Sequence, residues 1–351
     1  MSIVVGALAP RFVCPTTSNP RYTSAAFGGR YILLAFLPTD VTGRRAALGL
    51  VGAHRALFDD IKLSAYGVLR DDDAIALARD QTGLRWFLDR DAAVSRLFEA
   101  LTPEGEERPR WVLLDPAECV LAVADIDKAD DLFAQVRALP APQDHAGVPL
   151  HAPVLIAPRI FDADLCRRLI AYYQTDGGSP SGVMREIDGR TVGVLDAYKK
   201  RRDTMISDPD LAREAREALV TRLLPQIRKV FQFKVGYIER YMVACYDAED
   251  GGYFKPHRDD TTKGTAHRRF ACSINLNAEE FEGGDLTFAE FGPQTYRPPT
   301  GGAVVFSCSL LHEATSVTKG KRYAFLPFFY DGAAAAIREA NLGTFDTGED
   351  P

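Results

Sequence analysis

The hydrophobic rhythm of the chain changes near its middle. Up to about residue 138, short apolar runs alternate with stretches of helical spacing, the pattern of an α/β unit. Tyr31 to Leu37 is an unbroken apolar run, as expected of a strand covered on both faces. Residues 46–61 repeat their apolar side chains at helical spacing, 63–69 and 110–115 predict further strands, and 130–139 predicts a closing helix with Asp130 as N-cap. Residues 139–152 hold three prolines and a glycine without periodicity and read as a linker. A second unit, 153–335, opens with a strand and a helix capped by Asp162. A polar, glycine-containing stretch follows over 175–203, then an amphipathic helix from Pro209 to about Phe231 with Asp208 at its start. Beyond Gly236 the pattern becomes a series of short strands, at 237–246, 270–276, 285–288, 303–307 and 323–329, broken by Gly, Pro and Asp turns. That spacing fits a jelly roll. Residues 336–351 read as a tail.

Composition narrows the class. A length of 351 residues suits about two domains, each able to bury a core. The net charge of -6 argues against a nucleic-acid partner. No apolar run is long enough to cross a bilayer, and the N-terminus lacks the basic segment of a signal peptide, so the expectation is no membrane and a cytoplasmic location. Cysteines 14, 119, 166, 245, 272 and 308 form no CxxC pair and read as small buried hydrophobes in a reducing compartment. His145 and His151 lie in the linker and are expected to be exposed.

The candidate chemistry centres on His257-Arg-Asp259 and a distant His312. In an extended strand, residues i and i+2 point to one face, so His257 and Asp259 aim at a common point. A second His from another strand completes a two-His-one-carboxylate face whose remaining positions stay open, an arrangement that suits non-haem Fe(II). His-x-Asp alone recurs often by chance. His267, beside two arginines, remains a minor alternative ligand.

Context supplies the specificity. The runs Tyr241 to Tyr246, Gly251 to Asp259, Cys272 to Asn277, Gly283 to Phe288, Pro299 to Phe306, His312 and Gly320 to Phe325 resemble the core of the prolyl-4-hydroxylase-type 2-oxoglutarate oxygenases. The resemblance covers roughly the last half of the chain. It implies a double-stranded β-helix with bracing helices, and His257, Asp259 and His312 as the Fe(II) ligands. It further implies 2-oxoglutarate and O2 as cosubstrates, with ascorbate as a supporting reductant. Arg322 then holds the far carboxylate of 2-oxoglutarate, since a planar guanidinium pairs bidentately with it. The neighbouring Lys321 points to the opposite face of the strand. Tyr246 and Tyr253 match family tyrosines near the iron and the oxoacid. Asn275 stands where close oxygen-sensing relatives carry a cosubstrate-contacting tyrosine, and its amide can still donate.

The implied reaction is hydroxylation of a C–H bond, on a prolyl or other side chain of a protein or peptide, with release of succinate and CO2. The alternatives are a hydroxylase of a free amino acid or other small metabolite, and a non-enzymatic two-domain binding protein. Specificity is expected in the loops at 175–203 and 261–269. The basic cluster Lys199 to Arg202 reads as a solvated loop, or else as a lid or docking element.

Residues 1–138 resemble the peroxiredoxin branch of the thioredoxin-like fold through Gly6 to Phe12, Tyr31 to Pro38 with Thr42, Trp86 to Asp89 and Trp111 to Pro116. Where such enzymes place the reactive cysteine, this chain has Arg45, which cannot act as a thiolate nucleophile. Cys14 lies far from that position. The resemblance therefore implies a non-catalytic module, with binding of a protein partner or dimerisation as its expected role.

Overall fold

The computed structural model describes residues 3–346. The chain divides into two compact units, Met1–His151 with Ala289–Pro293, and Ala152–Phe288 with Gln294–Pro351.

The first unit carries a five-stranded sheet in the order Leu84–Leu88, Leu63–Leu69, Tyr31–Phe36, Arg110–Leu114, Val120–Asp125. The first three strands are parallel, and the last two join antiparallel. On one face Leu33 and Ala35 pack with Ala47 and Val51 of the helix Val41–Ala53 and with Phe133 of the helix Ala129–Ala138. On the other, Ile32, Leu34 and Phe36 meet Phe12, Phe27 and Phe98. Burial on both sides explains why this run shows no polar alternation, and the layered order is thioredoxin-like.

Two helix starts differ from the sequence reading. The first helix begins at Val41 because the Asp40 carboxylate accepts from the Gly43 N–H at 2.7 Å. The closing helix starts at Ala129 after an uncapped Lys128, so Asp130 sits within the first turn, where its charge complements the helix dipole. Pro142–Asp144, expected in the linker, forms a 3-10 turn and belongs to this unit.

The second unit is built on two antiparallel sheets. The larger runs Tyr237–Glu239, Phe328–Tyr330, Phe270–Asn275, Lys321–Phe325, Met242–Asp247, Arg202–Met205, Ser179–Pro180, and Ala303–Ser307 branches from Phe270–Asn275. The smaller runs Lys199–Lys200, Tyr253–His257, His312–Ala314, Leu286–Thr287, Thr295–Tyr296. This is the expected jelly roll. Alternation assigns the faces of the larger sheet. Val243, Cys245, Cys272, Ile274, Tyr323 and Phe325 pack under the bracing helices through Leu165, Leu169, Leu211, Leu223 and Ile227. Each fully buried leucine or isoleucine there contributes roughly 1.5–3 kcal/mol. The residues between them, Ala244, Tyr246, Ser273, Asn275, Arg322 and Ala324, take the opposite face.

The first bracing helix, Ala163–Asp176, is capped by Asp162 as expected. The helix after Asp208 is interrupted: Pro209–Ala218 and Leu224–Phe231 are separated by a π-turn at Leu219–Leu223, and Pro225 in the second segment supplies no backbone donor to that turn. The strand expected over 237–246 breaks at Arg240, whose φ of 66° lies in the left-handed region. Residues 175–203 are not one loop, since they contain the hairpin Val183–Ile187 with Arg190–Val194. The helix Gly332–Asn341 runs through residue 335, so the segment read as a tail begins inside a regular element.

Candidate active site

The strands Tyr253–His257 and His312–Ala314 pair antiparallel with His257 directly opposite His312. A register shift between Phe254 and His257 turns both side chains to one face, and their rings stack at 3.4 Å between centroids. Asp259 follows the strand end, where its N–H donates to the Cys308 carbonyl at 2.9 Å. Ligand atoms of His257, Asp259 and His312 thereby lie within 4.8 Å of one another.

The proton positions on the imidazoles follow from their outer partners. His257 Nδ1 is 2.8 Å from the Lys255 carbonyl, and His312 Nδ1 is 3.0 Å from the Leu310 carbonyl. A carbonyl only accepts, so each Nδ1 carries the proton and each Nε2 presents a lone pair. Those nitrogens face Asp259 at 3.7 Å and 3.4 Å. Burial, and then the neighbouring His312, push the His257 imidazole down to about 3. Burial disfavours the Asp259 charge, yet nearby positive charge, from His312 and His257 when protonated and from Arg268 and Arg240, outweighs it and keeps the carboxyl below its ordinary range. Two bare nitrogens and a carboxylate converging in a buried place repel one another unless a cation lies between them. The donor set therefore fits Fe(II).

Arg322 lies across the face of the larger sheet, buried to 3% exposure. Its Nη2 donates to Ser273 Oγ at 2.8 Å and its Nε to Asn275 Oδ1 at 3.4 Å, while Nη1 is buried with no hydrogen-bond partner among the described residues. A buried guanidinium held by two neutral acceptors, with one donor left over, fits an incoming carboxylate such as that of 2-oxoglutarate. Lys321 pairs instead with Asp247 at 2.7 Å.

The other expected residues separate. Tyr246 is directly opposite Arg322 in the ladder, and its hydroxyl lies 3.3 Å from Arg201 Nη1. Asn275 is near the guanidinium, but its amide donates to the Pro298 carbonyl at 2.8 Å, so the contact it makes toward the site is the bond to Arg322. The Tyr253 hydroxyl donates to the Ala197 carbonyl at 2.7 Å and does not join the cluster. His267 binds Glu239 at 2.7 Å and is absent from the three-residue cluster.

Sequence reasoning missed Ser273, and it singled out the basic run Lys199 to Arg202 without separating Lys199 and Arg201 from their neighbours. Ser273 had a signal, being polar two residues before Asn275 inside an otherwise apolar strand. Lys199 and Arg201 did not, because the cluster of four basic residues hides its own alternation. The expectation of a solvated loop fails here: Lys199 and Arg201 are buried, while Lys200 and Arg202 are exposed.

In the first unit, Arg45 lies exposed on the helix Val41–Ala53, and Cys14 is buried in the core. Burial, and then Asp89, push the Cys14 thiol up to about 12. Among the described residues, no helix is long and apolar enough to cross a membrane.

The family model of the 2OG-Fe(II) oxygenase superfamily matches residues 241–330. A PKHD-type hydroxylase of Cupriavidus metallidurans is 30% identical over 174 residues, 44% of this chain and 74% of that protein. Another, of Stenotrophomonas maltophilia, is 30% identical over 184 residues, 50% of this chain and 75% of that protein. Among solved structures, a prolyl-4-hydroxylase of Pseudomonas putida is similar over 54% of this chain and 96% of its own, at 20% identity and a TM-score of 0.41. The 2-Cys peroxiredoxin of Plasmodium vivax is similar over 41% of this chain and 99% of its own, at 18% identity and a TM-score of 0.34. Through its C-terminal half, the chain belongs to the 2OG-Fe(II) oxygenase superfamily.

Proposed function

We propose that the C-terminal unit hydroxylates a C–H bond of a prolyl side chain in a protein or peptide, consuming 2-oxoglutarate and O2 and releasing succinate and CO2. The observation that carries this reading is the pairing of the His257, Asp259 and His312 cluster with the free, buried Nη1 of Arg322. The name shared by the relatives, PKHD-type hydroxylase, supports hydroxylation. The prolyl assignment rests on the motif resemblance of residues 241–325.

His257, Asp259 and His312 hold Fe(II). Their Nδ1 bonds to backbone carbonyls keep both rings in the ligating tautomer. Arg322 anchors the distal carboxylate of 2-oxoglutarate, and Ser273 and Asn275 orient its guanidinium. Tyr246 packs against that guanidinium and is itself buried. When bound, Fe(II) and 2-oxoglutarate supply the oxidising power that places one oxygen atom in the C–H bond as the oxoacid loses CO2. Ascorbate would act as a supporting reductant. The first unit is a non-catalytic module that recruits a protein partner or mediates dimerisation.

Anaerobic addition of Fe(II) and 2-oxoglutarate to the full chain tests the cofactor site. A weak visible charge-transfer band is expected, lost in His257→Ala and displaced to higher 2-oxoglutarate concentration in Arg322→Ala. No band at saturating cosubstrate would sink the oxygenase reading.

A further inference from the structure

One short segment reaches both sheets of the second unit. Lys199–Lys200 pairs with the His257 strand, with Lys199 opposite Phe254, while Arg202–Met205 pairs with the Tyr246 strand, with Asp203 opposite Ala244. Two of its cations turn inward, one toward each half of the site. Arg201 reaches Tyr246, the cross-strand partner of Arg322. Lys199 Nζ lies 4.9 Å from the centre of the Phe254 ring, and that ring stacks on His257. Lys199 is thus one aromatic ring away from the metal cluster.

The two cations differ in how their charge is answered. Arg201 makes a bidentate pair with Asp203, both bonds at 2.6 Å. Lys199 Nζ donates to Ser181 Oγ at 2.6 Å and to the Gly182 carbonyl at 2.9 Å, both neutral, and no carboxylate among the described residues lies within ion-pair distance of it. An ammonium has three donors and tolerates burial poorly without an anion. The surrounding charge gives only partial relief, from Asp203 and Asp259 at a distance. Asp203 is committed to Arg201, Asp259 belongs to the metal cluster, and Glu239 pairs with Arg268, which flanks Phe328 together with Arg240. Burial, followed by Arg201, accordingly pushes the Lys199 amine well below its ordinary value.

We propose that Lys199 is a specificity-determining residue that receives a carboxylate of the primary substrate, so the preferred substrate carries a carboxylate close to the C–H bond that is hydroxylated. The proposal rests on the oxygenase reading above. The carboxylate belongs either to a free amino acid or to an acidic side chain or C-terminus next to the target residue of a peptide. In both cases the ammonium gains the anion it lacks, and a charge-assisted hydrogen bond orients the ligand.

Matched probes test it on the full chain loaded anaerobically with Fe(II) and 2-oxoglutarate, reading perturbation of the visible band as the probe is titrated. The pairs are L-proline against L-prolinamide, and a proline-containing peptide with a glutamate beside the proline against the same peptide with glutamine. In the wild type, the carboxylate member of at least one pair should perturb the band at a concentration about tenfold or more below its neutral partner. The pair that responds identifies the source. The preference should collapse in Lys199→Gln and survive in Lys199→Arg, which keeps the charge. The band without probe reports that each variant still assembles the site. Equal responses within both pairs, no response from any probe, or an unchanged preference in Lys199→Gln would each overturn the assignment. Absence of the band in the wild type would instead overturn the oxygenase reading, and this inference with it.

Discussion

The guanidinium of Arg322 lies 5.2 Å from the ring of Tyr246, its direct partner across the antiparallel ladder. The register of two strands therefore delivers a cation and the aromatic surface it rests on together, leaving the guanidinium edge for hydrogen bonds. Ser273 and Asn275 occupy part of that edge, and Nη1 has no partner among the described residues.

Arg322→Lys should therefore be costly although it keeps the charge. It removes the planar fork and both orienting bonds, and the concentration of 2-oxoglutarate needed for half-saturation should rise by about 30-fold or more, corresponding to about 2 kcal/mol. Ser273→Ala should raise it by a smaller factor. A titration followed by the visible band measures both.

Asp259→Ala should abolish Fe(II) binding, since the two imidazoles alone offer only two ligands. Equilibrium dialysis against Fe(II), with metal analysis of the protein, should show loss of the site while far-UV circular dichroism is retained.

Glu239 makes the fold sensitive to acid. Burial opposes its charge, but the hydrogen bond from His267 and the charge of Arg268 outweigh that and hold the carboxyl well below the ordinary glutamate range. Its folded pKa is depressed, so the stabilisation is complete above the unfolded value of about 4.3 and is lost as pH falls through the folded pKa. Glu239→Gln should lower stability at pH 7 by about 3 kcal/mol, because it leaves Arg268 buried without an anion. The deficit relative to wild type should shrink as the pH drops below about 4.3. Urea denaturation at several pH values checks both statements.

Gly301 has a φ of +77°, and a Cβ there would collide with the carbonyl oxygen of Phe161. Its own carbonyl accepts from the N–H groups of Ile160 and Phe161. Gly301→Ala should cost about 2 kcal/mol or more, read as a lowered melting temperature of the second unit.

The first unit should not turn over peroxide. Arg45 offers no thiolate, and Cys14 is both buried and pushed up to about 12. Iron-free protein supplied with a thiol reductant should consume hydrogen peroxide only at the rate of the buffer.

Much of this protein was determined by local sequence. The change from mixed α/β rhythm to short strands placed two folds along the chain, because strand and helix periods follow directly from backbone geometry. His257, Asp259, His312 and Arg322 could be singled out for a different reason: the proposed chemistry requires those residue types, and the surrounding motifs keep the order of the family they resemble. Helix caps at Asp162 and Asp208 were also readable, since capping involves only the next few residues.

Tertiary structure decided what depends on partners remote in sequence. The roles of Asn275 and Tyr253 turned on the Pro298 and Ala197 carbonyls, 23 and 56 residues away. The burial of Lys199 and Arg201, rather than of Lys200 and Arg202, was set by which strands the segment pairs with, and four consecutive cations carry no pattern to announce it. The free Nη1 of Arg322 is likewise a property of the assembled face, where two neighbours satisfy a guanidinium only in part.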